Sequence, residues 1–230
     1  MRYPNIKKGT FLSRPNRFIA QVLIDGQEET VHVKNTGRCK ELLVPGVTVY
    51  LQHFPNTSRK TAYDLIAVDK AGLLINMDSQ APNRVVGEWL KATEPFGPLT
   101  FLKAEYTHGD SRYDFYLEMG QRKMFLEVKG VTLENNGVAS FPDAPTERGI
   151  KHLKGLVKCL EEGYEATAVF VVQFTGAKYF TPNWATHPAF GEALQQAQAA
   201  GVQIIARECE VTPEDLNITN EVKVILKDSL

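Results

Sequence analysis

At 230 residues, 43% of them hydrophobic, the chain has the apolar content for one large domain or two small ones. No stretch approaches a membrane span and the polar start, Met1 to Lys8, lacks a signal-peptide core, so a cytoplasmic protein without membrane attachment is expected. Cys39, Cys159 and Cys209 are far apart and lack Cys-x-x-Cys spacing, which excludes a disulfide framework and a cysteine zinc site, and the net charge of −1 excludes a uniformly basic surface.

In chain order, β-type runs occur at 18–24, 30–33, 48–52, 63–68 and 73–76. Turn signals separate them: Asp25-Gly26, Asn35-Thr36-Gly37, Pro45-Gly46, Pro55-Asn56 and Ala71-Gly72. Five closely spaced strands suggest a small Greek-key barrel, with an OB-like fold leading and an SH3-like barrel as the alternative. Residues 1–82 hold 11 Lys/Arg against 7 Asp/Glu, a balance of +4, while the remainder holds 15 against 20, a balance of −5. The basic part suits a polyanion partner, although a surplus of this size also fits an ordinary solvated surface.

After the Gln80-Ala81-Pro82-Asn83 stretch the rhythm changes. The spacing predicts a helix over 83–92, a strand over 100–106, and a hairpin of strands 111–117 and 123–129. Residues 132–145, with Asn135-Asn136-Gly137 and two prolines, read as a loop. An amphipathic helix over 146–162 follows, with Ile150, Leu153, Leu156, Val157 and Leu160 as its apolar stripe and Gly163 as its stop. His152 falls outside that stripe and is expected to be exposed. A buried strand over 166–174, a helix over 186–200 and a strand over 202–207 complete the second part. Helix, three strands, helix, strand is the core order of restriction-endonuclease-like folds, giving domains 1–82 and 83–230, the second an α/β domain with a mixed sheet.

The hairpin carries the chemistry. Alternation places Glu127 and Lys129 on one face of their strand, with Val128 on the other. On the preceding strand it groups Arg112, Asp114 and Tyr116 against Tyr113, Phe115 and Leu117. Two carboxylates and a lysine on neighbouring strands suit Mg²⁺, which prefers oxygen ligands and can activate water against a phosphodiester. The lysine would orient the water or offset charge in the transition state. The same residues would also sit without strain on an ordinary solvated sheet face. The five histidines are scattered, so any metal chemistry belongs to carboxylates; no nucleophile elbow and no Gly-rich phosphate loop are present.

Several blocks together resemble the bacterial and archaeal sugar fermentation stimulation protein A family, nearly end to end. They are Arg17-Phe18-Ile19-Ala20, Asn35-Thr36-Gly37-Arg38, Leu43-Val44-Pro45-Gly46, Ser111-Arg112-Tyr113-Asp114-Phe115, Leu126-Glu127-Val128-Lys129-Gly130-Val131-Thr132-Leu133, and Phe141-Pro142-Asp143-Ala144-Pro145-Thr146-Glu147-Arg148-Gly149. Cys39 after the second block and Ile150, where the family pattern has glutamine, are departures. The resemblance implies an N-terminal OB-like domain, a C-terminal PD-(D/E)xK-type nuclease domain, and DNA binding without marked sequence preference. It also implies a historical link to sugar (maltose) metabolism. In its terms Asp114, Glu127 and the Val128 carbonyl would hold Mg²⁺, with Mn²⁺ as a substitute. Lys129 would act on the water, and Glu105 would add a ligand or hold a metal-bound water.

Arg112 either pairs with an acidic neighbour or grips a phosphate. Arg148 and Lys151, beside Glu147 at a helix start, are further phosphate candidates. In the first domain Arg14, Arg17, Arg38, Lys40, Arg59 and Lys60 are candidate phosphate contacts. Phe11, Phe18, Tyr50 and Phe54 are either base-stacking platforms or core. The function expected is a Mg²⁺-dependent nuclease on DNA, with RNA less favoured. The alternative is a non-catalytic DNA-binding regulator of sugar metabolism. A homodimer is left open, because a double-strand cut needs two sites.

Overall fold

The computed structural model describes residues 1–35, 37–55 and 59–227; Thr36 and Asn56 of the turns named above lie outside the described residues. Strands β1 (Ile6–Ser13), β2 (Ile19–Ile24), β3 (Gln27–Val33), β4 (Thr48–His53) and β5 (Tyr63–Lys70) form a closed barrel. β1 pairs antiparallel with both β2 and β4, and the parallel bridges His32↔Asp64 and Val33↔Leu65 close β3 onto β5. This is the OB topology, with one exchange of strands. The run at 73–76 is β6 (Leu73–Asn76), which adds to β5 outside the closed ring, and the first barrel strand is β1. Lys7, Lys8 and Gly9 interrupt the apolar alternation of β1, so hydropathy alone does not reveal it. Phe11, Val22, Val31, Val49, Leu51 and Leu65 fill the interior.

The second part starts with α1 (Ala81–Thr93), which carries Pro82 in its first turn, where a missing N–H costs nothing. Strands β7 (Phe101–His108), β8 (Ser111–Met119) and β9 (Arg122–Val131) run antiparallel as a meander. β10 (Leu133–Asn135) and β11 (Val138–Phe141) then form a hairpin, followed by α2 (Glu147–Glu161) and β12 (Glu165–Val172). β13 (Tyr179–Pro182) pairs parallel with β11, and α3 (Pro188–Ala199), β14 (Gln203–Val211) and β15 (Leu216–Val222) end the fold. The main sheet is mixed, in the order β15-β14-β12-β9-β8-β7, with β12 parallel to both β9 and β14.

The loop expected over 132–145 is thus largely a hairpin. Asn136 and Gly137 have φ of 52° and 84°, and two left-handed central residues are what a two-residue hairpin turn requires. β15 is not evident in the sequence either, because Leu-Asn-Ile-Thr-Asn-Glu-Val is too polar to stand out as an edge strand.

The sheet buries both faces. Val85, Val86, Trp89 and Leu90 of α1 pack with Leu117, Met124, Leu126 and Val128. On the other face Leu153 and Leu156 of α2 and Phe190 and Leu194 of α3 pack with Phe125 and Phe170. Each of these apolar layers continues into the barrel, which is therefore fused to the sheet domain. No helix among the described residues is long and apolar enough to cross a membrane.

A buried polar network fastens the junction. Gln173 Nε2 donates to Asn76 Oδ1 at 2.9 Å and to the Asp78 carbonyl at 3.1 Å, and the Asn76 N–H donates to the Gln173 carbonyl. Asp78 receives Lys34 Nζ at 2.6 Å and the Tyr3 hydroxyl at 3.3 Å. Burial, then the Asp78 charge, pushes the Tyr3 phenol well above its ordinary range. Removing one partner of a buried ion pair costs about 3–5 kcal/mol, whereas an exposed pair contributes about 0.2–1 kcal/mol. Lys34→Ala is therefore expected to lower stability by about 3 kcal/mol in urea unfolding. Lys7→Ala, which breaks the exposed Lys7–Asp25 pair, should cost less than about 1 kcal/mol. Equal losses in the two variants would show that the buried Lys34–Asp78 pair is no more costly to break than an exposed one.

Candidate metal and nucleic-acid site

β9 is a central strand, so its side chains are buried on both faces. Val128 packs against α1, while Glu127 and Lys129 share the opposite face and meet through Lys129 Nζ and Glu127 Oε1 at 2.5 Å. Glu127 is 2% exposed. A carboxylate so deep needs compensation, and α2 supplies it through His152 Nδ1, which also bonds to Glu127 Oε1. Arg148 Nε donates to His152 Nε2 at 3.4 Å, on the side of the ring away from the carboxylate. Glu127 Oε2 is buried with no hydrogen-bond partner among the described residues.

His152 is buried, contrary to expectation. The buried face of α2 is Gly149, His152, Leu153, Leu156 and Cys159, rotated from the stripe that begins at Ile150. The i, i+3, i+4, i+7 spacing of Gly149, His152, Leu153 and Leu156 was the available signal; the polarity of His152 concealed it.

Asp114 reaches the site from β8. The β8–β9 ladder runs from Met119↔Arg122 to Phe115↔Leu126 and ends there. Beyond it the strands part, and Asp114 Oδ2 accepts the Val128 N–H at 2.7 Å while Oδ1 accepts Asn83 Nδ2 from α1 at 2.6 Å. The pairing of β7 with β8 also skips Glu105, whose φ is 54°. Regular alternation therefore fails here. Tyr113 and Tyr116 pack in one core layer, and Phe115 and Leu117 in the other. Glu105 itself is exposed and borders, with Asp114 and Asn83, a cleft of about 640 Å³. Its nearest cation is Arg112, at 3.7 Å, so Arg112 lies by an acidic neighbour across two exposed side chains. Among the described residues no group of three or more His, Cys, Asp or Glu side chains gathers in metal-binding geometry.

The two carboxylates are driven apart electrostatically. Burial and then the nearby Glu127 charge raise Asp114 above its ordinary value, outweighing its two hydrogen bonds. Burial pushes Glu127 up as well, but His152 and Lys129 outweigh it and hold Glu127 below its ordinary value. Asp114 and Glu127 thus form a coupled pair, the second ionised more firmly than the first.

The candidate phosphate contacts of the barrel divide. Arg14 turns inward, its two Nη atoms donating to the carbonyls of Arg17, Asn35, Gly37 and Arg38 at 2.7–3.0 Å. It shapes the loop and leaves Arg17, Arg38 and Lys40 exposed around a cleft of about 530 Å³. Ala144 and Pro145, just before α2, form the opposite wall. Asp143 ties the two sides together by accepting the Arg38 N–H at 3.2 Å. Arg59 is engaged by Asp64 and lies over the Phe54 ring at 4.4 Å, while Lys60 is exposed. Phe11 is core and Tyr50 is partly buried, so Phe18, 54% exposed, is the one of these aromatics most open to a base. Arg148 and Lys151 are exposed at the start of α2, whose cap is Thr146 accepting the Gly149 N–H.

Comparison with known proteins covers both halves. A family model described as the SfsA N-terminal OB domain matches residues 12–77, and one described as the sugar fermentation stimulation protein RE domain matches residues 80–215. A sugar fermentation stimulation protein homolog of Desulfitobacterium hafniense is 59% identical over 226 residues, covering 98% of this chain and 99% of its own. One from Clostridium beijerinckii is 53% identical, covering 98% and 100%. The solved structure of Pyrococcus furiosus SfsA in complex with Ca²⁺ superposes with a TM-score of 0.84 at 29% identity, over 98% of each chain.

The electrostatics set an order of protonation. As pH falls, metal-free protein should protonate Asp114 first and Glu127 last, as read by carboxyl ¹³C chemical shifts. Because the folded-state pKa of Glu127 is depressed, its pairing stabilises the fold above the unfolded glutamate value near 4.5 and is lost as pH falls through the lower folded value. In His152→Ala the Glu127 transition should move upward; an unmoved transition would show that His152 does not compensate the charge.

Proposed function

The chain belongs to the sugar fermentation stimulation protein family, and from that membership and the geometry of its site we propose a metal-dependent phosphodiesterase acting on DNA, with RNA as the second choice. The observation that carries the reading is Glu127 Oε2: a buried carboxylate oxygen without a partner among the described residues, beside Asp114. Such an atom fits a hard cation, since an unpaired buried acceptor is costly unless something positive takes it up. Asp114 and Glu127 would hold the ion, joined by the Val128 carbonyl, with Glu105 reaching it through water across the cleft that it shares with Asp114. Mg²⁺, or Mn²⁺ in its place, would supply a more acidic bound water and neutralise charge on the phosphodiester. The Ca²⁺ in the Pyrococcus furiosus relative supports an oxygen-ligand cation in this family.

The chain's own groups do the rest. Lys129 presents its ammonium where negative charge grows during attack on phosphorus, and Glu127 Oε1 fixes its position. His152 holds the same oxygen from α2, leaving Oε2 as the free ligand. Arg148 and Lys151 lie where the helix N-terminus favours phosphate, and Arg17, Arg38 and Lys40 extend the positive field along the barrel. Arg14 contributes by shaping the loop that presents them.

One observation favours a second reading, a DNA-binding regulator that does not cut. Both Asp114 oxygens already accept hydrogen bonds, and the described residues gather no third ligand side chain.

Cleavage of labelled single- and double-stranded DNA and of RNA, with Mg²⁺, Mn²⁺ or EDTA, separates the two. Metal-dependent products are expected, reduced about 10²–10³-fold in Lys129→Met, in line with the loss of one transition-state donor. Glu127→Gln should lose activity more completely. Binding without cleavage under every metal would establish the regulator instead. Equal cleavage by wild type and both variants would remove the site.

A further inference from the structure

The positive charge of α2 does not stop at Lys151. Arg148, Lys151, Lys154 and Lys158 are all exposed, and at about 100° per residue their spacing sets them along one side of the helix. Lys151, Lys154 and Lys158 form one wall of a cleft of about 530 Å³, and the β7–β8 turn, His108 to Ser111, forms the other. Of the acidic groups bordering this cleft, Glu162 bonds to His108 at 2.5 Å and Glu147 faces His187 at 3.4 Å, while Asp110 is exposed on the β7–β8 turn. Lys151 Nζ takes only the Asp110 carbonyl, at 3.3 Å. Among the described residues no carboxylate lies within ion-pair distance of Arg148, Lys151, Lys154 or Lys158.

The floor of the cleft is equally specific. Gly155 lies over β8 so closely that a Cβ would come within 2.5 Å of the Tyr113 hydroxyl. The missing side chain lets β8 approach between the lysines, which stand clear on either side in sequence. One end of the row meets the catalytic cluster, because Arg148 contacts His152 and His152 contacts Glu127. The row then extends for about 15 Å along the helix, long enough to face several successive phosphates. At its start, Ala144 and Pro145 separate it from the barrel cleft of Arg17, Arg38 and Lys40.

We infer that this face of α2 is a track for the sugar-phosphate backbone, with Lys154 and Lys158 as phosphate contacts that carry a polynucleotide away from the Glu127 site. This rests on the nucleic-acid reading of that site. It makes the substrate a chain extending well beyond the scissile bond, since a dinucleotide at Glu127 would not reach Lys158.

The test is equilibrium binding of labelled oligonucleotides, single-stranded and duplex, to the full chain in EDTA, followed by anisotropy across a salt series. Lys154→Ala/Lys158→Ala is compared with wild type and with Lys123→Ala/Lys223→Ala, which removes two exposed lysines elsewhere. For a long single strand the slope of log K against log salt should shrink by about 1.4 in the α2 variant, about 0.7 for each phosphate that is no longer neutralised. The control pair should leave it unchanged, and Lys154→Arg/Lys158→Arg should retain it. A dinucleotide should bind wild type and the α2 variant alike. If wild type binds long strands and the α2 variant keeps the full slope, the track is refuted while the site reading stands. If wild type binds no nucleic acid, both fall.

Discussion

Glu127 is a carboxylate buried on a central strand of the sheet, and one residue from that strand and one from the helix packed on it are placed to tolerate its charge. Left alone, such a group would take a proton and lose its charge. Lys129 from the same strand and His152 from the packed helix prevent that by converging on one oxygen. The asymmetry matters more than the neutralisation, because one oxygen is satisfied twice while the other is buried with no hydrogen-bond partner among the described residues. Asp114 is treated in the opposite way, with both oxygens bonded and its charge disfavoured by burial. Two acidic residues that look equivalent in sequence thus become one firm anion and one that is more easily protonated.

The position of that pair depends on two interruptions of the sheet. β8 pairs with β9 only from Phe115 onward, and its pairing with β7 skips the left-handed Glu105, so the sheet is irregular where α1 and α2 both approach it. Asn83 comes from one side and His152 from the other. The barrel then contributes charge. Arg14 gathers four carbonyls beneath its loop, and Arg17, Arg38 and Lys40 stand outward toward the segment that leads into α2.

Much of this was legible in the residues. The strands of the meander, the amphipathic α2 and the pairing of Glu127 with Lys129 follow from apolar spacing, because burial on a fixed side imposes a period. The features that escaped are those in which another requirement overrides that period. β1 carries two lysines and a glycine in a half-solvated barrel strand, and β15 is a polar edge. The Asn136-Gly137 turn sat within a segment whose prolines suggested a loop. Tyr113 and Phe115 should share a face by alternation and do not, since the irregularity at Asp114 is set by tertiary contacts with α1 and β9. His152 escapes for a related reason: its helical spacing with Gly149, Leu153 and Leu156 is visible, but its polarity hides its burial until the buried carboxylate it meets is known.

Gly130, next to Lys129, has no room for any side chain: a Cβ would sit 2.6 Å from Gln173 Oε1 and 2.7 Å from Pro82 Cγ. Gln173 is also the residue that bonds to Asn76 and Asp78 at the edge of the barrel. The strand bearing the lysine, the start of α1 and the junction between domains are therefore packed against one another at a single point. The barrel is consequently more than an attached binding surface. A shift of its β6 edge would press through Gln173 on the backbone one residue from Lys129, so the seating of the barrel reaches the strand that bears that lysine.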